Sequence, residues 1–278
     1  MKWAFLNGER LKADDAIIPI NSPLAQYGYG IFETLCIQDA SVLRFSEHWA
    51  RLSASAKELS IPLQQTQKET HAQALELIKH NALENGALKI LTYAGNPPGM
   101  LLCTQKKYYQ ATQYLEGFRL MIAPQQRFSQ DPLARHKSCN YLTATLAKQT
   151  AQKAHCDEAI FLNEQGELCE GSFTNIFFVK DQALHTPALK CGLLPGIMRK
   201  EILDYAHNAG YPYKEGRYYL DDILNADEVF VTNALLGVMP ARELGEKPFD
   251  LTRATFSMEL AKAFSPALSL KHDVKALF

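Results

Sequence analysis

The chain has 278 residues, 47% of them hydrophobic, with 29 basic against 30 acidic side chains and a formal charge of -1. That length can bury one large core or two modest ones, and its interspersed charges form no basic run for a polyanion, which excludes a nucleic-acid partner. The N-terminal apolar run is too short for a signal peptide, and no segment offers roughly 18 uninterrupted apolar residues, so the protein is expected in the cytoplasm and off the membrane.

In chain order, Ala4-Phe5-Leu6 and Arg10-Leu11 flank Asn7-Gly8, a two-residue hairpin signal. Gly30 to Ile37 is rich in β-formers, Asp39-Ala40 is a turn, and Val42 to Phe45 is expected to resume the strand. From Ser46 the period changes: His48, Trp49, Leu52, Ala56 and Leu59 recur at helical spacing. A second helix is predicted from Gln67 to Asn81, followed by strands at Leu88 to Tyr93 and Met100 to Cys103. Lys106 to Glu116 has no clear period and is expected to be a connection.

Beyond it, Phe118 to Ala123 is a strand, Tyr141 to Lys153 a helix, and Glu158 to Asn163 and Thr174 to Val179 are strands separated by the turn Asn163-Glu164-Gln165-Gly166. Gly196 to Ala209 has a helical pattern that Gly210 can end, Asp227 to Thr232 is a buried strand, and Leu251 to Phe264 is a final helix. These elements predict an α+β protein of two domains: residues 1–110, a connection over 111–117, and a larger α/β domain over 118–278. The six cysteines contain no Cys-x-x-Cys pair and are expected reduced, without disulfide or structural metal.

Several strings bear chemistry. Arg135-His136-Lys137-Ser138-Cys139-Asn140-Tyr141 is followed by Glu170-Gly171-Ser172-Phe173-Thr174-Asn175, by Leu194-Pro195-Gly196-Ile197-Met198-Arg199, and by Thr232-Asn233-Ala234-Leu235. Upstream stand Tyr27-Gly28-Tyr29-Gly30-Ile31-Phe32-Glu33-Thr34 and His48-x-x-Arg51-Leu52. In order and spacing this set resembles the fold-type IV pyridoxal-phosphate enzymes: branched-chain aminotransferases, D-amino-acid aminotransferases and 4-amino-4-deoxychorismate lyases.

The resemblance implies the two-domain α+β fold of the D-amino-acid aminotransferases, with the larger domain carrying Lys137, and a homodimer. It also implies pyridoxal 5'-phosphate as cofactor. Lys137 then matches the lysine that forms a Schiff base with the cofactor aldehyde, where apolar surroundings favour the neutral amine that acts as nucleophile and base. Glu170 matches the carboxylate that keeps the pyridine nitrogen protonated and the ring electron-withdrawing. Arg51 matches the phosphate arginine, whose planar fork suits phosphate oxygens. Ile197 and Met198 would offer backbone amides at a helix N-terminus, and Ala234 and Leu235 a second set; Tyr27, Tyr29, Tyr141 and Asn233 are expected around the substrate.

Within the family, Asn233-Ala234-Leu235-Leu236-Gly237-Val238-Met239-Pro240 looks like the lyases' Asn-Ala-Leu-x-x-Val-x-Pro, and the Gly-Pro-Val-Thr segment of aminotransferases is absent after Gly245. Tyr29 in place of an aspartate, and Asn96-Pro97-Pro98-Gly99 in place of Gly-Arg-Gly-Tyr, depart from the lyases, and an Asn-Pro-Pro string in this region is seen in branched-chain aminotransferases. The expected activity is the lyase, yielding 4-aminobenzoate for folate synthesis. A branched-chain aminotransferase is the alternative, ahead of a D-amino-acid one and of a non-catalytic cofactor-binding protein.

Overall fold

The computed structural model describes residues 2–266. These fall into two compact units: one holds the described residues up to Tyr108 together with His136–Asn140, the other Tyr109–Arg135 and the described residues from Tyr141 onward.

In the first unit, β1 (Trp3–Leu6) and β2 (Glu9–Lys12) pair across Asn7-Gly8, both of which adopt the positive φ that a tight hairpin turn needs. A short helix α1 (Pro23–Tyr27) starts at a Ser22 cap and stops at Gly28 in the left-handed region. There follow β3 (Gly30–Gln38), β4 (Ser41–Val42), α2 (Phe45–Glu58), α3 (Gln67–His80), β5 (Gly86–Tyr93) and β6 (Gly99–Gln105). The antiparallel sheet has the order β2-β1-β6-β5-β3-β4. Because strand side chains alternate, Ile31, Leu35 and Ile37 of β3, with Leu88, Ile90, Met100 and Leu102, share one face and pack with Leu52 and Ala56 of α2 and Leu77 and Ile78 of α3. The strand expected over Val42 to Phe45 ends at Val42: Arg44 turns left-handed, with φ 53°, and α2 begins at Phe45 rather than Ser46.

The second unit opens where a connection was expected. Residues Ala111–Glu116 form α4, capped reciprocally by Gln110 and Gln113, and its fully buried Tyr114 donates a hydroxyl hydrogen bond of 2.6 Å to the Leu236 carbonyl. Gly117, φ 68°, ends it. Next come β7 (Phe118–Ile122), α5 (Leu142–Lys153), β8 (Glu158–Leu162), β9 (Leu168–Gly171), β10 (Asn175–Lys180), β11 (Ala183–Pro187), α6 (Ile197–Asn208), β12 (Tyr213–Gly216), α7 (Leu220–Leu224), β13 (Glu228–Asn233), β14 (Gly237–Leu244), β15 (Lys247–Pro248) and α8 (Thr255–Phe264). The mixed sheet runs β12-β11-β10-β13-β14-β7-β8-β9, with β15 on β14. Its core gathers Phe177, Phe178, Phe230, Val231 and Met239 with Ile202 of α6 and Leu260 of α8. Helix α8 starts at Thr255 rather than Leu251, because Asp250 Oδ1 accepts from both the amide and the hydroxyl of Thr252 and holds a turn there.

Lys137 was expected with the second domain. Its pentapeptide His136–Asn140 instead groups with the first unit, since its backbone pairs with β3. No described helix is long and apolar enough to cross a membrane.

Candidate active site

Strand β3 presents two chemically different faces. On the helix side, Glu33 takes a position that Ile31 and Leu35 flank, and it is 1% exposed. A buried carboxylate needs partners, and two residues make three contacts with it: Arg51 Nε donates to Oε1 and Arg51 Nη2 to Oε2, each at 2.7 Å, while His48 Nδ1 lies 2.7 Å from Oε2. Burial pushes the Glu33 carboxyl up, but the Arg51 charge and the bonds from His48 and Arg51 outweigh it and hold the group at about 2. The carboxylate is thus ionised at neutrality, and the guanidinium plane is fixed by two contacts.

The start of β3 has one open edge, because β4 covers only Ile37 and Gln38. The lysine segment fills it. Phe32 N donates to Lys137 O and Cys139 N to Gly30 O, both at 2.8 Å, and Ile31 bridges Ser138 in antiparallel fashion. Alternation buries His136 and Ser138 and sends Lys137 and Cys139 the other way. On that side Lys137 Nζ sits 4.7 Å from the centroid of the Phe32 ring, and Lys89 Nζ, from β5, 4.2 Å from the same centroid. No carboxylate among the described residues pairs with Lys89; Glu33 is spent on the opposite face. Burial raises the Cys139 thiol to about 11, with Lys89 pulling it slightly down, so it is no thiolate near neutrality.

Asn140 donates from Nδ2 to the Gly28 carbonyl at 3.3 Å, and a Cβ on Gly28 would press into its Oδ1. Tyr27 is 74% exposed. Tyr29 donates its hydroxyl to the Leu59 carbonyl at 2.8 Å, which ties the ring to the end of α2.

In the second unit Glu170 is the next-to-last residue of β9 and is buried. Arg127 Nη2 lies 3.0 Å from its Oε1, and its Oε2 accepts from Leu194 N at 3.0 Å and from Asn175 Nδ2 at 3.3 Å. Asn175 also donates to the Leu194 carbonyl at 2.9 Å, and its Oδ1 occupies the space where a side chain on Gly196 would begin. One asparagine therefore joins the acidic motif to the entrance of α6. That helix has no side-chain cap and no acidic residue in its first turn, so no side chain of its own offsets its N-terminal dipole there. Met198 and Arg199 point inward; Arg199 Nη2 donates to the Pro187 carbonyl at 2.9 Å and to Glu215 at 2.6 Å.

The turn after Glu170 hangs on a second buried carboxylate, Glu158, 1% exposed. It accepts from the Ser172 hydroxyl, the Ser172 and Phe173 amides at 3.2 and 3.3 Å, and the Thr174 hydroxyl at 3.3 Å. Phe173 lies beside Tyr141, ring centroids 5.6 Å apart. Its carbonyl accepts from Asn233 Nδ2 at 3.2 Å, and Asn233 Oδ1 in turn takes the amides of Leu235 and Leu236 at 2.9 Å.

The anticipated residues thus form two clusters. Lys137, Arg51 and Tyr29 are placed by β3 and α2 of the first unit; Glu170, Ile197, Met198, Asn233, Ala234, Leu235 and Tyr141 surround the β9–β10 turn and the α6 entrance of the second. Sequence reasoning passed over Glu33, Lys89, Arg127 and Glu158. Glu33 alone left a signal, as a charged residue on the core-facing alternation of a strand.

Residues 30–244 match the model of the amino-transferase class IV family. An aminodeoxychorismate lyase of Bacillus subtilis is 28% identical over 257 residues, covering 87% of this chain and 86% of that protein. A D-alanine aminotransferase of Bacillus licheniformis is 29% identical over 255 residues, covering 88% of each. In fold, the chain superposes on the branched-chain amino acid aminotransferase of Escherichia coli with a TM-score of 0.86 over 98% of this chain and 97% of that one, at 24% identity. Proteins named for three different reactions resemble this chain about equally, so the reaction must be argued from side chains.

Proposed function

This chain belongs to the class IV aminotransferase family, and we propose that within it the protein is a lyase that converts 4-amino-4-deoxychorismate to 4-aminobenzoate and pyruvate. Its cofactor is pyridoxal 5'-phosphate. The donor set fits that group: an amine at Lys137 for the aldehyde, a buried carboxylate at Glu170 for the ring nitrogen, and for the phosphate the Arg51 guanidinium, the uncapped α6 amides of Ile197 and Met198 and the turn amides of Ala234 and Leu235. When bound, the cofactor withdraws electrons from the substrate carbon that carries nitrogen.

Lys137 Nζ takes the proton from that carbon. The bond between the neighbouring ring carbon and the enolpyruvyl oxygen would then break, the ring would become aromatic, and the proton held at Lys137 Nζ would pass to the enol carbon to give pyruvate. Glu170, held by Arg127, Asn175 and Leu194, keeps a negative charge at the ring nitrogen throughout. Tyr27, Tyr29, Tyr141 and Asn233 line the substrate side in this reading.

Lys89 carries the choice of reaction. A half-buried ammonium on the Phe32 ring that Lys137 also approaches, with no carboxylate partner among the described residues, suits a substrate with carboxylates of its own, whereas a leucine or valine side chain there would desolvate it without compensation. The Asn233 to Pro240 string supports the same choice. Asn96-Pro97-Pro98-Gly99, which puts no arginine in the β5–β6 turn, favours a second reading as a branched-chain aminotransferase. Incubation of cofactor-loaded protein with 4-amino-4-deoxychorismate decides: 4-aminobenzoate that disappears in Lys137→Ala supports the lyase. Its absence, with oxo acids formed from leucine and 2-oxoglutarate, moves the assignment to the aminotransferase. A homodimer belongs to the same reading, and the exposed Ile17 and Ile20, 71% and 85% accessible, supply apolar surface for it.

A further inference from the structure

Helix α2 meets both Glu33 and the segment that carries Lys137. His48, Arg51, Ser55 and Glu58 fall on one side of it, three or four residues apart. The first two bind Glu33. The other two bind the residue just before the lysine: His136 Nδ1 is hydrogen-bonded to Ser55 Oγ at 2.9 Å, and His136 Nε2 lies 3.5 Å from Glu58 Oε1. His136 is 8% exposed, and its two ring nitrogens face side chains of the same helix.

The backbone contacts of the lysine segment are few. Two backbone hydrogen bonds, which together make the antiparallel bridge of Ile31 with Ser138, join residues 137–139 to 30–32. Pairing this short specifies register weakly, and a slip by one residue would turn Lys137 toward the helices and His136 away from them. A side chain fastened on the helix side opposes that slip. Ser55 stands one turn beyond Arg51, about 6 Å along the axis, so the element that orients the guanidinium also fixes where the lysine emerges.

We propose that His136 is a positioning residue: through Ser55 and Glu58 it fixes the Lys137 segment to the helix that carries Arg51, and so sets the separation of the amine that meets the cofactor aldehyde from the group that meets its phosphate. The assignment rests on the roles given above to Lys137 and Arg51.

The test uses the purified full chain with pyridoxal 5'-phosphate. Total bound cofactor is measured by dialysis, and covalent attachment by borohydride reduction followed by mass analysis of the peptide containing Lys137. His136→Ala lowers the rate of attachment at Lys137 by about tenfold or more, the effect of a misplacement near 1 Å, while total bound cofactor changes little. His136→Asn, whose amide stands near the Nδ1 position, restores most of that rate. Ser55→Ala, which leaves the imidazole in place, slows attachment in the same sense and serves if His136→Ala does not fold. Attachment at the wild-type rate in folded His136→Ala or Ser55→Ala overturns the proposal, as does a lowered melting temperature with no change in attachment. Failure of the wild-type chain to attach cofactor at Lys137 would instead remove the reading beneath it.

Discussion

Arg51 meets Glu33 as a two-point fork, Nε to Oε1 and Nη2 to Oε2 at 2.7 Å each, on the helix-facing side of β3. A pair so deep in the unit is a structural ion pair, and its contribution to stability depends on pH.

The Glu33 carboxyl, ordinarily near 4.5, is held at about 2 in the folded chain. A depressed folded value means that the contribution, about 3 kcal/mol, is fully present above the unfolded value and is lost as the pH falls from about 4.5 toward 2. Glu33→Gln leaves Arg51 and His48 facing no anion and is expected to destabilise the chain by about 3–5 kcal/mol near neutrality. Urea unfolding of both proteins across acid pH checks this: the gap between them should narrow below about pH 4.5, and a constant gap would assign the effect to packing instead.

Gly196→Ala is expected to fail locally. Its new methyl group would collide with Asn175 Oδ1, and Asn175 is what joins Glu170 to Leu194. Overpacking of this kind destabilises by about 1–3 kcal/mol. The companion Gly210→Ala, where no atom waits within 4 Å but φ is +68°, carries backbone strain alone. Cofactor affinity measured by fluorescence should drop in the first variant and hold in the second.

Lys89→Met tests the substrate side. The cofactor should bind as before, while KM for 4-amino-4-deoxychorismate rises by about tenfold or more, the loss of a hydrogen bond to a charged group. Weaker cofactor binding with an unchanged KM would place the ammonium on the cofactor rather than the substrate.

For Glu170→Gln the cofactor should stay bound with proton abstraction slowed by about two to three orders of magnitude, the usual effect of removing a preorganised charge. A solvent-exchange assay on the substrate carbon proton reads that step directly, and an unaltered rate would give the ring nitrogen to another group.

Much of the site was legible because its motifs are contiguous strings: Glu170 with Asn175, and Gly196 with Ile197 and Met198, each lie within one turn or helix entrance. Arg127 and Lys89 were not, because their partners Glu170 and Phe32 are distant in sequence, and no periodicity pairs residues so far apart. The fold shows the same limit. Hairpin β1–β2 announced itself through Asn7-Gly8, whereas β9 and β11, four and five residues long, are too short for alternation to speak. Helix α4 hid because one side chain, Tyr114, supplies its burial, and the premature end of β4 follows from a left-handed Arg44 that no propensity foretells.

His136–Asn140 is bound to β3 while both its chain neighbours, Arg135 and Tyr141, belong to the second unit. A fragment ending at Tyr108 would thus keep its sheet and lose the peptide that covers the opening edge of β3. Bare edges recruit foreign strands, so such a fragment is a candidate for aggregation, and any scheme that shuffles the halves of related proteins has to carry five residues across the seam with the first half. The peptide that carries Lys137 thus also covers the opening edge of β3.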